Sequence, residues 1–213
     1  VGNESEIERT TMSSEIGERA LREIYLVPFE WAVKKAGTWG VMSSYNRLNG
    51  TYTSEHNWLL TTVLRDEWGY DGIVMSDWFG SHSTAATVNA GLDLEMPGPA
   101  RDRGQKLVEA VNAGEVSIET LDKRVAAMLR LMQRVNSLDD HRPFEERADD
   151  RPGHRALIRL AGVEAAVLLK NDGVLPMARS GRVAVIGPNA KTAQIMGGGS
   201  AQLNAHYRIS PWE

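Results

Sequence analysis

The stretch Trp39–Asp77, WGVMSSYNRLNGTYTSEHNWLLTTVLRDEWGYDGIVMSD, has the pattern of a strand, a helix and a second strand. Trp39–Tyr45 is short and bounded by turn-forming residues, and Gly72–Ser76 (GIVMS) is a nearly all-apolar run typical of a strand buried on both faces. Between them we predict a helix that Ser54 caps and that ends at Gly69. This order is typical of a βαβ unit, so we predict an α/β fold with parallel strands.

The rest of the chain is mostly helical in pattern, with one further strand and one linker. Apolar residues at helical spacing predict six more helices. They are a segment from Ser13-Ser14 to Tyr25, Phe29–Ala36, Ser81–Ala90, Gly104–Asn112, Ser117–Val135 and His154–Lys170. Arg182–Ile186 (RVAVI) predicts a strand, and Asn136–Gly153, rich in charge and interrupted by two prolines, predicts a linker.

Composition and charge exclude several classes of protein. The chain has 213 residues, 42% hydrophobic and 24% charged, which is typical of a folded globular domain rather than a disordered chain. Its 24 basic and 28 acidic side chains give a net charge of −4, so we expect no nucleic-acid partner and no attachment to an anionic membrane. The absence of cysteine excludes disulfide and thiolate chemistry and leaves the cellular compartment open.

Asp77 is the first candidate for a reactive side chain. It directly follows the predicted strand Gly72–Ser76, and the carboxyl ends of parallel strands are where α/β proteins collect reactive groups. Trp78 and Phe79 come next and provide apolar rings of the kind on which sugars pack their C–H faces. The alternative is that Asp77 caps the following helix, with Ser81 as a rival cap, and position alone leaves both open.

Met42 and Tyr45 lie at the end of the neighbouring predicted strand. Because parallel strands of a βαβ unit end at the same edge, Tyr45 could donate a hydrogen bond to Asp77 and hold it ionised. The alternative, favoured by the residues alone, is a half-buried packing role for Tyr45. Arg9 lies in the acidic segment Asn3–Arg9, and most such clusters are solvated surface.

Metal and nucleotide sites are not predicted. The five histidines lack metal-ligand spacing, so we expect no metal. Gly197–Ser200 (GGGS) lacks both phosphate-loop motifs and lies ten residues beyond the predicted strand, so a mobile loop presenting Ser200 is the better interpretation. Asp93 and Glu95, in the stretch Gly91–Gly98, could each be structural.

Eight stretches keep a common order and spacing over nearly the whole chain. They are Asn3–Arg9 (NESEIER), Ala20–Glu30 (ALREIYLVPFE), Val41–Gly50 (VMSSYNRLNG), Leu64–Trp78 (LRDEWGYDGIVMSDW), Ala90–Gly98 (AGLDLEMPG), Leu168–Pro176 (LLKNDGVLP), Val183–Ala190 (VAVIGPNA) and Gly197–Ala201 (GGGSA). Together they resemble the β-glucosidase branch of glycoside hydrolase family 3. The SDW motif followed by AGLDLEMPG is the most specific part of the resemblance.

The resemblance implies a fold larger than this chain. Members of the family have a (β/α)8-type barrel, a linker and an (α/β)6 sandwich domain. We therefore expect residues 1–135 to be the later part of the barrel, 136–153 the linker and 154–213 the beginning of the sandwich domain. Since a full barrel needs ~250 residues, we expect an internal fragment of a longer enzyme.

The resemblance also implies a reaction and a set of site residues. The expected enzyme is a retaining, exo-acting β-glucosidase that acts on β-glucosides or cello-oligosaccharides through a covalent glycosyl-enzyme on Asp77. Arg9, Met42, Tyr45 and Trp78 match positions that line the subsite for the terminal sugar, and Ser200 matches the residue contributed by the sandwich domain. No cofactor is expected. The family's Lys-His pair and its general acid/base Glu have no counterpart here, so we expect the isolated chain to turn over little or no substrate.

Three alternatives remain beside this expectation. A β-xylosidase or another β-glycosidase of the same family would share these motifs, whereas the N-acetylglucosaminidase branch is disfavoured because its histidine-containing acid/base loop has no match. A non-catalytic carbohydrate-binding module is the second alternative, and a nucleotide-binding α/β protein built on Val183–Ala190 is the third. The sequence does not specify the exact sugar, the oligomeric state or the localisation.

Overall fold

A computed structural model describes residues 1–139, 145 and 147–213. The chain divides into two compact units, Val1–Arg142 and Pro143–Glu213, here called the N-terminal and C-terminal units. Strands and helices together make the chain a mixed α/β protein, as its sequence predicts. In the part of the chain that the structure describes, no helix is both long and apolar enough to cross a membrane.

Within residues 1–139, the N-terminal unit contains five short strands in two sheets. In the first sheet, β1 (Ser13–Ser14) pairs in parallel with β3 (Arg47–Leu48), which pairs antiparallel with β4 (Thr51–Tyr52). In the second, β2 (Gly40–Met42) pairs in parallel with β5 (Ile73–Met75). The parallel pairing predicted for the stretch Trp39–Asp77 is therefore confirmed, with each strand shorter than the apolar pattern that predicted it.

Helices connect and cover these strands. The crossover from β2 to β5 passes through a 3₁₀ turn, Thr53–Glu55, and a π-helix, Trp58–Glu67. The others in this unit are α1 (Glu18–Ala20), a π-helical turn (Leu21–Tyr25), α2 (Val27–Lys34), α3 (Ala85–Ala90), α4 (Gln105–Asn112) and α5 (Ile118–Arg134). Local sequence explains the bounds of two of them. Ser117 caps α5 by accepting from the Thr120 N–H (3.1 Å), and Gly91, with φ of +117°, ends α3.

Several predicted helix starts are wrong. Ser13-Ser14, predicted to open the first helix, form β1, and the helix after them begins only at Glu18. Ser54 lies buried in the 3₁₀ turn, and the helix begins only at Trp58, beyond the reach of a capping side chain, which bonds the second or third helical N–H. The helix predicted from Ser81 begins at Ala85, because Thr84 holds the N-cap position and Ser81 is fully buried.

The core lies between the strands and the Trp58–Glu67 helix. Leu48, Val63, Val74 and Leu92 are each fully buried there. A close backbone approach fixes the start of β5: a Cβ at Gly72 would lie 2.4 Å from the Trp39 carbonyl oxygen, so the chain needs glycine at that point.

A buried cluster of three charged side chains, Asp93, Arg65 and Arg124, contacts β5. The carboxylate of Asp93, whose side chain is 0% exposed, lies 2.6 Å from the Arg65 guanidinium and 3.2 Å from that of Arg124. The same carboxylate accepts a hydrogen bond from the Val74 N–H (2.7 Å). Burial raises the pKa of Asp93, and the two guanidinium groups oppose that shift. Asp93 thus joins the strand to the Trp58–Glu67 helix and to α5.

Among its described residues, the C-terminal unit contains one α-helix and one 3₁₀ turn. Its α-helix, α6 (Pro152–Glu164), starts with proline in the first turn, where the missing N–H costs nothing. It begins inside the predicted linker, and residues 140–144 and 146 of that prediction lie outside the described residues. A 3₁₀ turn, Gly199–Ala201, follows later.

The strand predicted at Arg182–Ile186 is wrong. The described part of the C-terminal unit contains no strand, and Val183 and Ile186 are 62% and 91% exposed. The apolar pattern alone cannot form a strand, because its backbone groups need a neighbouring strand to pair with.

Candidate functional site

The site is built at the edge where β2 and β5 end. The register pairs Met42 with Met75, and the Ser43 N–H donates to the Met75 carbonyl (2.8 Å). Because the two strands are parallel, the residues that follow them leave the sheet side by side. This places the loop that carries Tyr45 beside the loop that carries Asp77.

Asp77 lies half-buried at the first position of a tight turn. The Trp78 N–H donates to Asp77 Oδ1 (2.6 Å), and the Gly80 N–H donates to the Asp77 carbonyl (2.9 Å). The helix that follows, α3, starts at Ala85. The helix-capping interpretation of Asp77 is therefore wrong, since its carboxylate bonds its own turn instead.

Tyr45 and Arg9 lie together with Asp77. The Arg9 guanidinium carbon is 5.0 Å from the centre of the Tyr45 ring, a cation–π contact. Burial raises the pKa of the Tyr45 phenol, the Asp77 carboxylate adds to that shift as a hydrogen-bonding and charged neighbour, and Arg9 opposes it. Tyr45 consequently stays a hydrogen-bond donor at neutral pH, next to a carboxylate that can accept.

Buried Asn46 holds the loop that presents Tyr45. Its Nδ2 donates to the carbonyls of Gly2 (3.0 Å) and Arg47 (2.9 Å). These bonds join the loop after β2 to the first residues of the chain, the region that also carries Arg9. Asn46 is a supporting residue that sequence reasoning missed, although its place next to Tyr45 was a signal for it.

Apolar side chains surround the mouth of this edge. Met42, Trp78 and Phe79 are 57%, 54% and 58% exposed. An apolar rim beside a carboxylate and a guanidinium suits a ligand with both C–H faces and hydroxyl groups.

Ser200 belongs to the C-terminal unit. It lies exposed in the 3₁₀ turn Gly199–Ala201, after two glycines with positive φ. No group of three or more His, Cys, Asp or Glu that could hold a metal ion occurs among the residues the structure describes.

Family models match both units. The model described as "Glycosyl hydrolase family 3 N terminal domain" matches residues 1–131, and the corresponding C-terminal domain model matches residues 166–213. The chain belongs to glycosyl hydrolase family 3. The family expected from the sequence motifs is thus confirmed.

Relatives of this family 3 chain include proteins named β-glucosidase. One from Rhizobium radiobacter is 65% identical over 215 aligned positions, which cover 100% of this chain and 26% of that protein. The chain spans about a quarter of the length of the curated relatives it matches.

Solved structures of family 3 enzymes match in three dimensions as well. The β-glucosidase of Kluyveromyces marxianus in complex with glucose is 41% identical, with a TM-score of 0.85 over 95% of this chain and 25% of its own. β-Glucosidase 3B of Thermotoga neapolitana in complex with glucose is 38% identical, with a TM-score of 0.78 over 93% of this chain and 28% of its own.

Proposed function

We propose that this family 3 chain is part of a retaining, exo-acting β-glucosidase in which Asp77 is the nucleophile. The observation that carries the proposal is the parallel pairing of β2 and β5, which brings the loop of Tyr45, with Arg9 over its ring, beside the loop of Asp77. The names of the relatives and the glucose in two of the similar structures support this substrate class.

The proposed reaction has two steps. The Asp77 carboxylate attacks the anomeric carbon of the terminal sugar, the bond to the leaving oxygen breaks, and that oxygen takes a proton from a second carboxylic acid. Water then attacks the same carbon, gives up a proton to the second carboxylate, and releases Asp77 and the sugar with its β configuration retained. We assign the second carboxylate to no residue of this chain.

Each neighbour of Asp77 receives a proposed role. Tyr45 donates a hydrogen bond that orients the nucleophile and keeps it ionised, and Arg9 provides charged donors for sugar hydroxyls. Met42 and Trp78 offer exposed apolar surface to the C–H faces of the sugar. Ser200 is proposed as a further sugar-binding hydroxyl, which its exposure in the Gly199–Ala201 turn supports.

The finer fold is also a proposal. We propose that residues 1–135 are the later part of a (β/α)8-type barrel, 136–153 a linker and 154–213 the start of an (α/β)6 sandwich domain. The parallel β2–β5 pair with its helical crossover supports the first part, and the two matching family models support the order of the domains.

A mechanism-based inhibitor tests the proposed function. The whole protein that contains residues 1–213 is incubated with 2,4-dinitrophenyl 2-deoxy-2-fluoro-β-D-glucoside, and its peptides are analysed by mass spectrometry. We expect a fluoroglucosyl ester on Asp77, because the electronegative fluorine slows both steps while the good leaving group preserves the first. Labelling of another carboxylate, or no labelling together with retained turnover, would contradict the assignment.

Sugar preference separates the β-glucosidase from its nearest alternative. In the same protein we expect a higher kcat/KM for an aryl β-glucoside than for the matching β-xyloside. The opposite order would make the protein a β-xylosidase that uses the same nucleophile.

Replacing Tyr45 by phenylalanine should slow the first step. Tyr45→Phe keeps the ring under Arg9 and removes only the donor to Asp77, so we expect kcat to fall by roughly 10²-fold, the loss typical of one misdirected catalytic group. The measurement is the rate of inactivation by the fluoroglucoside, which reports attack by Asp77 directly.

Tyr70→Phe is the matched control for this variant. The Tyr70 hydroxyl donates to the Ile73 carbonyl (2.6 Å) at the start of β5, far from Asp77 along the strand. Its loss should cost about 1 kcal/mol of stability and leave the inactivation rate unchanged. Equal inactivation rates in Tyr45→Phe and the unaltered protein would refute the orienting role.

A further inference from the structure

The turn that carries Asp77 has a strained backbone. The hydrogen bond from the Gly80 N–H to the Asp77 carbonyl closes the turn, and Phe79 at its third position has φ of +64°. When the third residue of a turn has a positive φ, it is normally glycine. Any other side chain at that position destabilises the fold by on the order of 1 kcal/mol or more. A turn of this kind persists only where surrounding contacts hold it.

One set of contacts comes from the segment after Leu94. The Phe79 N–H donates to the Met96 carbonyl (2.9 Å), and the Met96 N–H donates to Ser76 Oγ (2.8 Å). These bonds fix the backbone just before Asp77 and the N–H side of Phe79. The Asp77 carbonyl is bonded within the turn, whereas the Phe79 carbonyl accepts from a different segment.

Arg101 is the donor on that segment. Its Nη2 donates to the Phe79 carbonyl (3.4 Å) and also to the Ser81 carbonyl, so one guanidinium bridges the residues on either side of Gly80. The same group pairs with the Asp102 carboxylate (3.2 Å). Arg101 therefore holds the distal side of the turn.

Glu95 in turn holds the backbone from which Arg101 extends. Its carboxylate is nearly buried and accepts from the Arg101 N–H (3.1 Å) and the Asp102 N–H (3.0 Å). Glu95 follows Leu94, which pairs with Met75 at the edge of β5. A continuous series of hydrogen bonds therefore connects β5, Glu95, Arg101 and the turn after Asp77.

We propose that Glu95 and Arg101 are positioning residues that hold the Asp77–Gly80 turn in its strained conformation and so aim the Asp77 carboxylate. The proposal rests on the proposed function of Asp77 as nucleophile. Neither residue touches the sugar in this scheme. Their effect reaches the reaction through the backbone of the turn.

The expected effect is on catalysis more than on binding. Without Arg101 the turn relaxes toward negative φ at Phe79 and displaces the carboxylate, and a displacement of about 1 Å can cost ~10²-fold in rate. Arg9, Met42 and Tyr45 lie on other segments, so sugar binding should change little. Arg101→Met should therefore lower kcat by roughly 10- to 100-fold with KM nearly constant.

Two further variants calibrate this effect in the whole protein that contains the chain. Arg101→Lys keeps the positive charge but places a single nitrogen on a shorter side chain, so it should hold the two carbonyls and Asp102 less well than the guanidinium does. Its kcat should lie between those of Arg101→Met and the unaltered protein. It also carries the test if Arg101→Met fails to fold. Arg130→Met is the matched control, because Arg130 donates to the Asp71 carbonyl (2.6 Å), ahead of the opposite end of β5. It should lower stability and leave kcat unchanged.

Replacing Phe79 by glycine should restore kcat to the Arg101→Met variant. This recovery would not be expected if Arg101 only stabilised the fold. Glycine adopts positive φ without a steric penalty, so the turn keeps its shape without Arg101. The kcat of the double variant Arg101→Met/Phe79→Gly should be at most a few-fold lower than that of Phe79→Gly alone. By comparison, the kcat of Arg101→Met should be roughly 10- to 100-fold lower than that of the unaltered protein.

The outcomes separate the two proposals. If the fluoroglucoside labels a residue other than Asp77 in the unaltered protein, the proposed function fails and the positioning role fails with it. The positioning role alone is overturned if the fluoroglucoside labels Asp77 but Arg101→Met keeps its kcat or loses no more kcat than Arg130→Met. It is overturned as well if Phe79→Gly does not rescue the kcat of Arg101→Met.

Discussion

Asp77→Ala should abolish hydrolysis of aryl β-glucosides, with kcat reduced roughly 10⁴- to 10⁶-fold, the range seen when a central catalytic residue is removed from an enzyme. The reason is that the first bond-forming step loses its proposed nucleophile, while the proposed sugar-binding residues Arg9, Met42 and Tyr45 remain. The protein should therefore still bind glucose, which equilibrium titration can measure. Steady-state kinetics of the whole protein gives the loss of kcat.

A small anion should restore part of the activity in a diagnostic way. In Asp77→Ala, azide can occupy the space of the carboxylate and attack the anomeric carbon as the aryl oxide leaves. A single displacement inverts the configuration, so the product should be an α-glucosyl azide, which NMR identifies. A β-glucosyl azide would show that azide enters from the other face and that Asp77 is not the nucleophile.

Asp71→Asn is the matched control for the loss of an aspartate. Asp71 precedes the same strand at its opposite end, and its exposed carboxylate pairs with Arg134 (2.5 Å). An exposed pair of this kind contributes at most about 1 kcal/mol, so this variant should keep its kcat. A comparable loss of kcat in both variants would point to strand stability rather than to chemistry.

Asp93→Asn should be the most destabilising single substitution considered for the N-terminal unit. It leaves two guanidinium groups, Arg65 and Arg124, buried without a counter-charge, and breaking such a pair costs about 3–5 kcal/mol. Hydrogen exchange of the β5 amides measures the loss, since Val74 donates directly to Asp93.

Removing one cation together with the carboxylate should reduce the penalty. The double variant Asp93→Asn/Arg124→Met should therefore cost less than the sum of the two single variants, because only one buried charge then remains uncompensated. Additive losses, or a cost for Asp93→Asn no larger than that of Asp71→Asn, would show that the cluster does not behave as a buried ion network.

Local patterns in the sequence were sufficient to predict the scaffold of the site. The apolar run Gly72–Ser76 and the short segment Trp39–Tyr45 predicted two parallel strands, and the structure pairs them. From that pairing alone, Asp77 and Tyr45 were expected at one edge. The same reasoning failed at Arg182–Ile186, because an apolar pattern records what a segment can bury and does not record whether a partner strand is present.

Contacts between distant segments were beyond local patterns. Arg9 looked like solvated surface on its own, and only the family resemblance placed it near Tyr45. The sequence leaves the role of the Glu95 carboxylate open and gives no indication of Arg101, because the bonds by which they hold the turn after Asp77 depend on how separate loops meet. Ser54 was a misplaced cap because a short 3₁₀ turn intervenes before the helix.

The close approach at Gly72 has a consequence for directed evolution of this protein. At the end of β5 where the strand begins, the Trp39 carbonyl leaves no space for even one methyl group. At the other end, Met42, Trp78 and Phe79 project into solvent. Saturation libraries that test the proposed sugar contacts can therefore randomise Met42 and Trp78, whereas position 72 at the other end of the strand should stay glycine.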